Sequence, residues 1–411
     1  MAGVTIDHMV AFVLLIVVIT ASIGAYSQII DSAIAYQNNH KVAMKAAELA
    51  NTLLLSAGDP SAWGLGNSTP FAFGLQDPDI GGYSLSAFSL ARLTSATQSL
   101  VYYSKTGQWY SNNSLGGGGV LFLPVSNAVN YTTAARLLGV NGSYGFRLTV
   151  TPTLTISISE VNLNPLRLRV DVRGPGLAVA SATLNYLLVH AVPQGGTYPS
   201  FQYYSGITQT NSSGAALLQF PSVNGLQYAY SVLVYASVGG LTGVGYHTRE
   251  SILNNKIMPF IENFQTRTIV LAHSFDVHTY PPPVSALHYN TTFLALTQNF
   301  QLREVQMANG SGLAKSGTIN YGEGKPYFRV QIPIQSAGIL LVAYRWGNDY
   351  GIVMMPWGIS SLGFSVTFGG DPTSADWIVT ELRQVTVNRV AYQVELAVWG
   401  TKGYQPWRFN L

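Results

Sequence analysis

Cysteine is absent from the 411 residues, which excludes a disulfide framework, an Fe–S cluster and thiolate chemistry. Charge is nearly as scarce. Asp, Glu, Lys and Arg make up 9% of the chain, against roughly 25% in a typical soluble protein. The net charge of +3 is spread over so few groups that no polybasic patch forms, and nucleic acid is excluded as an expected partner. No Lys or Arg precedes residue 41. A cleaved secretory signal needs a basic start and a small-residue cleavage site followed by non-helical chain, so that reading is rejected. Helix breakers are missing too: neither Pro nor Gly occurs between Gly24 and Gly58. Gly-x-Ser-x-Gly and His-Glu-x-x-His are absent, which removes the usual signatures of a serine hydrolase and a zinc protease.

What is present begins with a run of 22 uncharged residues, Met9 to Ile30. A hydrocarbon core of ~30 Å needs roughly 20 apolar residues at ~1.5 Å rise each, so the run is long enough to span a bilayer. It is apolar on every face, which argues against a core helix of a soluble protein. Beyond Ile30 the pattern becomes amphipathic. Ala33, Ile34, Ala43, Ala46, Ala47, Ala50, Leu53 and Leu54 recur at three- and four-residue steps between Gln37, Asn38, Lys41, Lys45 and Glu48. Gly58-Asp-Pro60 supplies the stop. The expectation is one helix from residue 4 to 56, longer than a simple anchor requires.

Residues 58–143 read as a loop-rich connecting region with short helices at 85–93 and 132–138. From Tyr144 the period changes to two. Leu166, Leu168, Val170 and Val172 share one face, and Arg167, Arg169, Asp171 and Arg173 the other, the pattern of a strand covered on one side. Seven such strands are expected within 144–248: 146–151, 154–160, 166–173, 180–190, 215–220, 228–237 and 241–248. That number and spacing fit an immunoglobulin-like sandwich. Residues 249–411 read as a second β-domain. The expected fold class is therefore α+β: a hydrophobic N-terminal helix (1–57), the connector, and two mainly-β domains.

Candidate chemistry is thin. His273, Asp276, His278 and His288 could form a metal site, and Asp77 with Asp79 a calcium loop, but polar strand faces and a single carboxylate pair explain both. Glu250/Glu262 and Asp371/Asp376 belong to no motif. Gly116–Gly119 lacks the Lys-Ser/Thr of a phosphate loop. No catalytic residue, metal or cofactor is expected. Asn-x-Ser/Thr acceptors occur at Asn67, Asn112, Asn130, Asn141, Asn211, Asn290 and Asn309, all beyond the helix. They outweigh Lys41 and Lys45, whose charge favours a cytoplasmic flank, and place the body outside. Tyr102-Tyr103, Trp109-Tyr110, Tyr203-Tyr204, Tyr344, Trp346 and Trp407 are more aromatics than a core absorbs, and exposed ones suit protein or sugar contacts.

The first 57 residues resemble an archaeal type IV pilin or pilin-like surface protein. The resemblance rests on the small-residue leader Met1-Ala2-Gly3, the acid Asp7 at the mouth of the apolar run, the run itself and its amphipathic continuation. It implies trimming of the leader between Gly3 and Val4 or just before Gly3, assembly of the helices into a filament core, and β-domains on the outside. Helix packing would use the small positions Ala11, Ala21, Gly24, Ala25 and Ala33. The expected partners are further copies of the chain and the membrane, with other pilins or surface glycans as additional ones. The expected location is a cell-surface filament whose subunits sit in the membrane before assembly. The alternative is a single-pass anchored surface or S-layer-type protein, adhesive through glycan- or protein-binding β-domains. A membrane-tethered hydrolase is the third class.

Overall fold

One helix, α1 (Ala2–Leu55), runs unbroken for 54 residues in this computed structural model, about 80 Å at the α-helical rise. Every residue is described except 1, 95–98, 116–117, 141, 194, 250–255, 278–285, 298, 311, 321–327, 359–361, 376 and 402–411. The two halves of α1 have different surroundings. Residues 7–38 are exposed on all sides, whereas Val42, Ala46, Leu49, Ala50, Leu53 and Leu54 are buried. That buried stripe follows the three- and four-residue steps of a helix face. It lies against Leu148, Val394 and Leu396, beside the Glu381–Arg383 ion pair. Burying its three leucines stabilises the fold by on the order of 5–9 kcal/mol. At the end of α1 the carbonyls of Leu53 and of Ser56 just beyond it accept from the amides of Leu75 and Gln76 at 2.8 and 2.9 Å, which satisfies part of the last turn and ties it to the following loop.

The sheet that carries α1 draws on distant parts of the chain. Its order is Ser84–Leu85, Ile378–Val387, Val390–Gly400, Tyr144–Pro152, Val366–Gly369. Strand Tyr144–Pro152, read from sequence as the first strand of the sandwich, thus pairs with Val390–Gly400 and Val366–Gly369. Alternation marks a strand but does not name its neighbour.

A seven-stranded sandwich follows. Three strands (Thr155–Leu163, Leu166–Arg173, Ala215–Phe220) face four (Thr183–Val192, Ser200–Gln209, Tyr230–Val238, Leu241–Arg249). Leu166, Leu168, Val170 and Val172 meet Leu184, Leu188, Val232 and Val234 between the sheets. The strand number matches the expectation, but the membership does not: Ser200–Gln209 replaces Tyr144–Pro152. Gly243 and Gly245 let the last strand of one sheet approach the first of the other. A Cβ at either would lie 2.7 Å from Leu154 Cβ or 2.6 Å from Ile156 Cβ, so one flank of the sandwich closes there.

A second sandwich stands behind the first. Its six-stranded sheet runs Phe328–Gln331, Thr268–His273, Ile257–Asn263, Val120–Pro124, Gln108–Ser114, Ser99–Tyr103. Three of these strands come from the stretch read as connector. Opposite lies a sheet of Leu302–Val305, Leu287–Leu296, Gly338–Trp346 and Asp349–Trp357, with Ser316–Ile319 beside Leu287–Leu296. This sheet is buried on both faces. Leu340, Val342 and Met355 face Ile257, Ile269 and Leu271, and Ile339, Leu341 and Met354 face Leu187, Val189 and Leu233 of the first sandwich. Strands covered twice carry continuous apolar runs, as Ile339-Leu-Leu-Val-Ala343 does. The chain also forms two short helices, α2 (Ala87–Thr94) and α3 (Tyr131–Leu137).

Candidate assembly surface

Among the described residues, the longest continuous run of exposed large apolar side chains is in the first half of α1. Met9, Phe12, Val13, Leu14, Ile23 and Ile29 are all more than half exposed, in a helix with the length and composition to cross a membrane. Three of its hydroxyls are satisfied within the helix. Thr20 Oγ1 donates to Ile16 O at 2.8 Å, Ser22 Oγ to Val18 O at 2.8 Å and Ser32 Oγ to Gln28 O at 2.7 Å. This is the condition a polar side chain must meet in lipid or in an apolar bundle. The apolar run of 22 residues measures about 33 Å. Residues 31–41, which are mostly polar, separate it from the point where the body takes hold.

Ala11, Ala21, Gly24, Ala25 and Ala33 are exposed along this half, and no described part of the body covers them. Gly24 is the informative one. A Cβ there would meet nothing within 4 Å, while glycine in a helix interior costs about 1 kcal/mol relative to alanine. Nothing among the described residues requires a glycine here. Asp7 lies in the second turn of α1, since the helix starts at Ala2, beyond the first turn where the helix dipole acts. Gly3 and Val4 fall within the helical backbone.

The glycosylation acceptors divide. Asn67, Asn130, Asn211 and Asn309 are exposed. Asn130 uses its oxygen to cap α3, accepting from Thr133 N at 2.8 Å, and Asn211 organises a turn through Ser213 N at 3.0 Å. In both the hydrogen bonds go to the side-chain oxygen, and none involves the amide nitrogen among the described residues. Asn112 is half-buried on a strand paired on both sides. Asn290 is half-buried, and its Nδ2, the atom an N-glycan joins, already donates to Pro199 O at 3.0 Å. Asn141 lies outside the described residues. Tyr102-Tyr103 and Trp109-Tyr110 split as strand alternation requires: Tyr103 and Tyr110 are buried, Tyr102 and Trp109 exposed, while Tyr203 is exposed, Tyr204 half-buried, Tyr344 buried and Trp346, at the strand end, exposed. Trp407 is outside the described residues.

The weaker candidates resolve into structural roles. Asp276 pairs with Lys105 at 3.0 Å, and His288 Nδ1 with Thr318 Oγ1 at 2.8 Å. Among the described residues no three metal-ligating side chains converge, and His278 is outside them. Asp77 Oδ1 accepts from Asp79 N and Ile80 N at 2.9 and 3.3 Å, closing a turn. Glu262 grips Arg329 at 2.6 and 2.8 Å, and Asp371 caps a short turn through Thr373 N. Glu250 and Asp376 are outside the described residues. In the glycine run, Gly119 bridges Met354 as an isolated strand contact.

One ionic cluster escaped the sequence reading because its members come from three strands. Glu160 accepts from Tyr230 Oη at 2.7 Å, His247 Nε2 at 3.1 Å and Arg249 Nη1 at 2.8 Å, across the closed flank of the first sandwich. Burial alone would raise the Glu160 pKa. The hydrogen bonds from Tyr230 and His247 and the Arg249 charge outweigh it, and the net shift is downward. His190 works in the same sense. Its ring is buried with neither nitrogen hydrogen-bonded, and burial pushes it down to about 4. Glu160 thus stabilises the fold above the ordinary glutamate range and loses that contribution as pH falls through its lowered value. The unfolded chain takes up a proton at His190 from about pH 6.5 downward, and the folded chain resists it. The melting temperature of the body is expected to fall steadily from pH 6.5 to 3. Glu160→Gln should lower it at pH 6.5 by the equivalent of about 1–2 kcal/mol and flatten the acid end of the profile. Thermal melts of both proteins across that range check this.

Neither a protein-family model nor a curated protein matches the chain. Among solved structures, one similar chain is described as "Crystal structure of Salmonella alpha-2-macroglobulin reacted with methylamine". The identity is 10% and the TM-score 0.19, over 67% of this chain and 19% of that one. This chain thus spans about a fifth of that protein, and no argument rests on the likeness.

Proposed function

We propose that this chain is a non-enzymatic structural subunit of an archaeal cell-surface filament of the type IV pilus kind. The first half of α1 sits in the membrane before assembly and in the filament core afterwards, with the β-sandwiches outside. The observation that carries this reading is the contrast between the halves of α1. One is gripped by the body, while the other projects with an apolar surface on all sides and a glycine that nothing among the described residues requires. Close approach of a neighbouring helix gives Gly24 a purpose, as small residues do between helices in lipid. Trimming to Val4 would bring Asp7 into the first turn, where a carboxylate is favoured by the helix dipole and can meet the new amine.

The second reading is a single-pass anchor that displays the body as an S-layer-type or adhesive protein. It is favoured by the apolar run alone, whose ~33 Å length suits one bilayer crossing. The two separate on Gly24 and Asp7. Electron microscopy of surface fractions labelled against the body is expected to show fibres for the wild type. Gly24→Leu or Asp7→Ala should leave dispersed single molecules while the body's melting temperature stays unchanged. Amino-terminal sequencing of the extracted protein is expected to begin at Val4 or Gly3. Dispersed wild-type molecules with an intact Met1 would favour the anchor.

A further inference from the structure

Between the two sandwiches lies a cleft of about 330 Å³. Its floor is the outer face of the four-stranded sheet, from Asn185, Ser205, Ile207 and Tyr235, and its rim is Phe300 with Gln301. None of the residues that line it is Asp, Glu, Lys, Arg or His, so an ionic ligand finds no counter-charge there. Apolar and polar surfaces are both present. Ile207 is 64% exposed, and the Phe300 ring stands 6.4 Å from that of Tyr235, tilted by 37°. The side chains of Asn185, Ser205 and Gln301 form no hydrogen bonds among the described residues, and so offer two carboxamides and a hydroxyl.

The rim is held in an uncommon conformation. Phe300 has a φ of 56°, a left-handed backbone that disfavours any residue but glycine, and a bulky one most of all. The turn that imposes it is fixed by Thr297 N donating to Gln301 O at 2.8 Å and Phe300 N donating to Thr297 O at 3.3 Å. Glycine would suit this turn better than phenylalanine. The ring packs in part against the core and in part forms the wall of an uncharged cleft.

We infer that this cleft binds a neutral pyranose sugar. An aromatic wall stacks on the C–H face of a sugar ring, and carboxamide and hydroxyl groups exchange hydrogen bonds with its hydroxyls. A cavity of this size is within the range of small-molecule sites. The inference goes beyond the assembly reading, because it depends only on the folded body and holds whether or not the chain forms filaments. The sugar has two sources: a glycan carried by a neighbouring copy, for which Asn67, Asn130, Asn211 and Asn309 are the exposed acceptors, or a polysaccharide on another surface.

The test uses the full chain in detergent, made in a host that adds no N-glycans. Methyl α-mannoside, methyl α-glucoside, methyl β-galactoside and N-acetylglucosamine are titrated by saturation-transfer NMR, with glucuronate as the charged control. At least one neutral sugar is expected to bind near ~1 mM, and glucuronate more weakly. Phe300→Gly removes the ring with its partial packing on the core but relieves the turn, so the melting temperature should shift by only about a few degrees while affinity falls about tenfold. Gln301→Ala, at an exposed position, should weaken binding about threefold to tenfold. In a second arm, glycopeptides from the native chain are compared with mannan and dextran. Binding of the former assigns the sugar to a neighbouring copy, and of the latter alone to a foreign surface. No binding by any neutral sugar well above ~1 mM, or wild-type affinity in both variants, overturns the inference.

Discussion

A chain lacking residues 1–36 is expected to be monomeric and soluble without detergent, with the melting temperature of the full-length body. A chain lacking residues 1–55 is expected not to fold. The exposed half of α1 gives the body nothing, since residues 7–38 are uncovered. Starting at Gln37 removes the apolar run and leaves Asn38 and Asn39 in place to cap the new helix end. Removing the rest takes away Leu49, Leu53 and Leu54, which are 1, 0 and 2% exposed. It also uncovers Leu148, Val394 and Leu396 beneath them. Each buried leucine truncated to alanine costs about 2–5 kcal/mol, so losing three together consumes most of a typical stability of about 5–15 kcal/mol. Size-exclusion chromatography and circular-dichroism melts of the two fragments decide the matter. A folded 56–411 fragment would show that the second half of α1 is an attachment to the body and not part of it.

The second large effect is expected at Arg92. This side chain of α2 is 2% exposed and reaches three separate segments. Nε donates to Asn127 O at 2.6 Å, Nη2 to Ser68 O at 3.0 Å and Nη1 to Trp63 O. The guanidinium also sits 5.3 Å from the Trp63 ring centroid. Burial lowers its pKa to about 10, so it stays charged at neutral pH. Trp63 is anchored in turn by Nε1 donating to Gly74 O at 2.8 Å, next to the end of α1. Arg92→Met keeps the stem but leaves buried carbonyls without donors, and is expected to cost about 3–5 kcal/mol. Arg92→Lys should recover less than half, because an ammonium cannot serve three acceptors spread around a planar fork. Chemical denaturation of the soluble 37–411 fragment measures both.

The sequence legibly contained the parts whose cause is local. The apolar run, the three- and four-residue spacing from Val42 to Leu54 and the Gly58-Asp-Pro stop each act within a few turns, and α1 ends at Leu55. The double-sided burial of Gly338–Trp346 is visible in its unbroken apolar run. Pairing was not legible. Val150 has Val394 beside it, and nothing within Phe146–Val150 points that far down the chain. Strand Ser200–Gln209 escaped notice because Gln202, Tyr203, Tyr204 and Gly206 break the alternation, as an edge strand with no fully covered face permits. The Glu160 cluster and the cleft share one difficulty: their members meet only after the strands have paired. In Phe300 the signal is a backbone angle, which residue type does not reveal.

The attachment of α1 to its sheet has a mechanical consequence. Its strands include Tyr144–Pro152 and the two last described strands, Ile378–Val387 and Val390–Gly400, while the first sandwich occupies residues 155–249 as an excursion between them. Any force carried along α1 would enter that sheet by shear across the packed leucines, and would reach the sandwich only through side contacts such as Thr242 Oγ1 donating to Arg389 O at 2.8 Å.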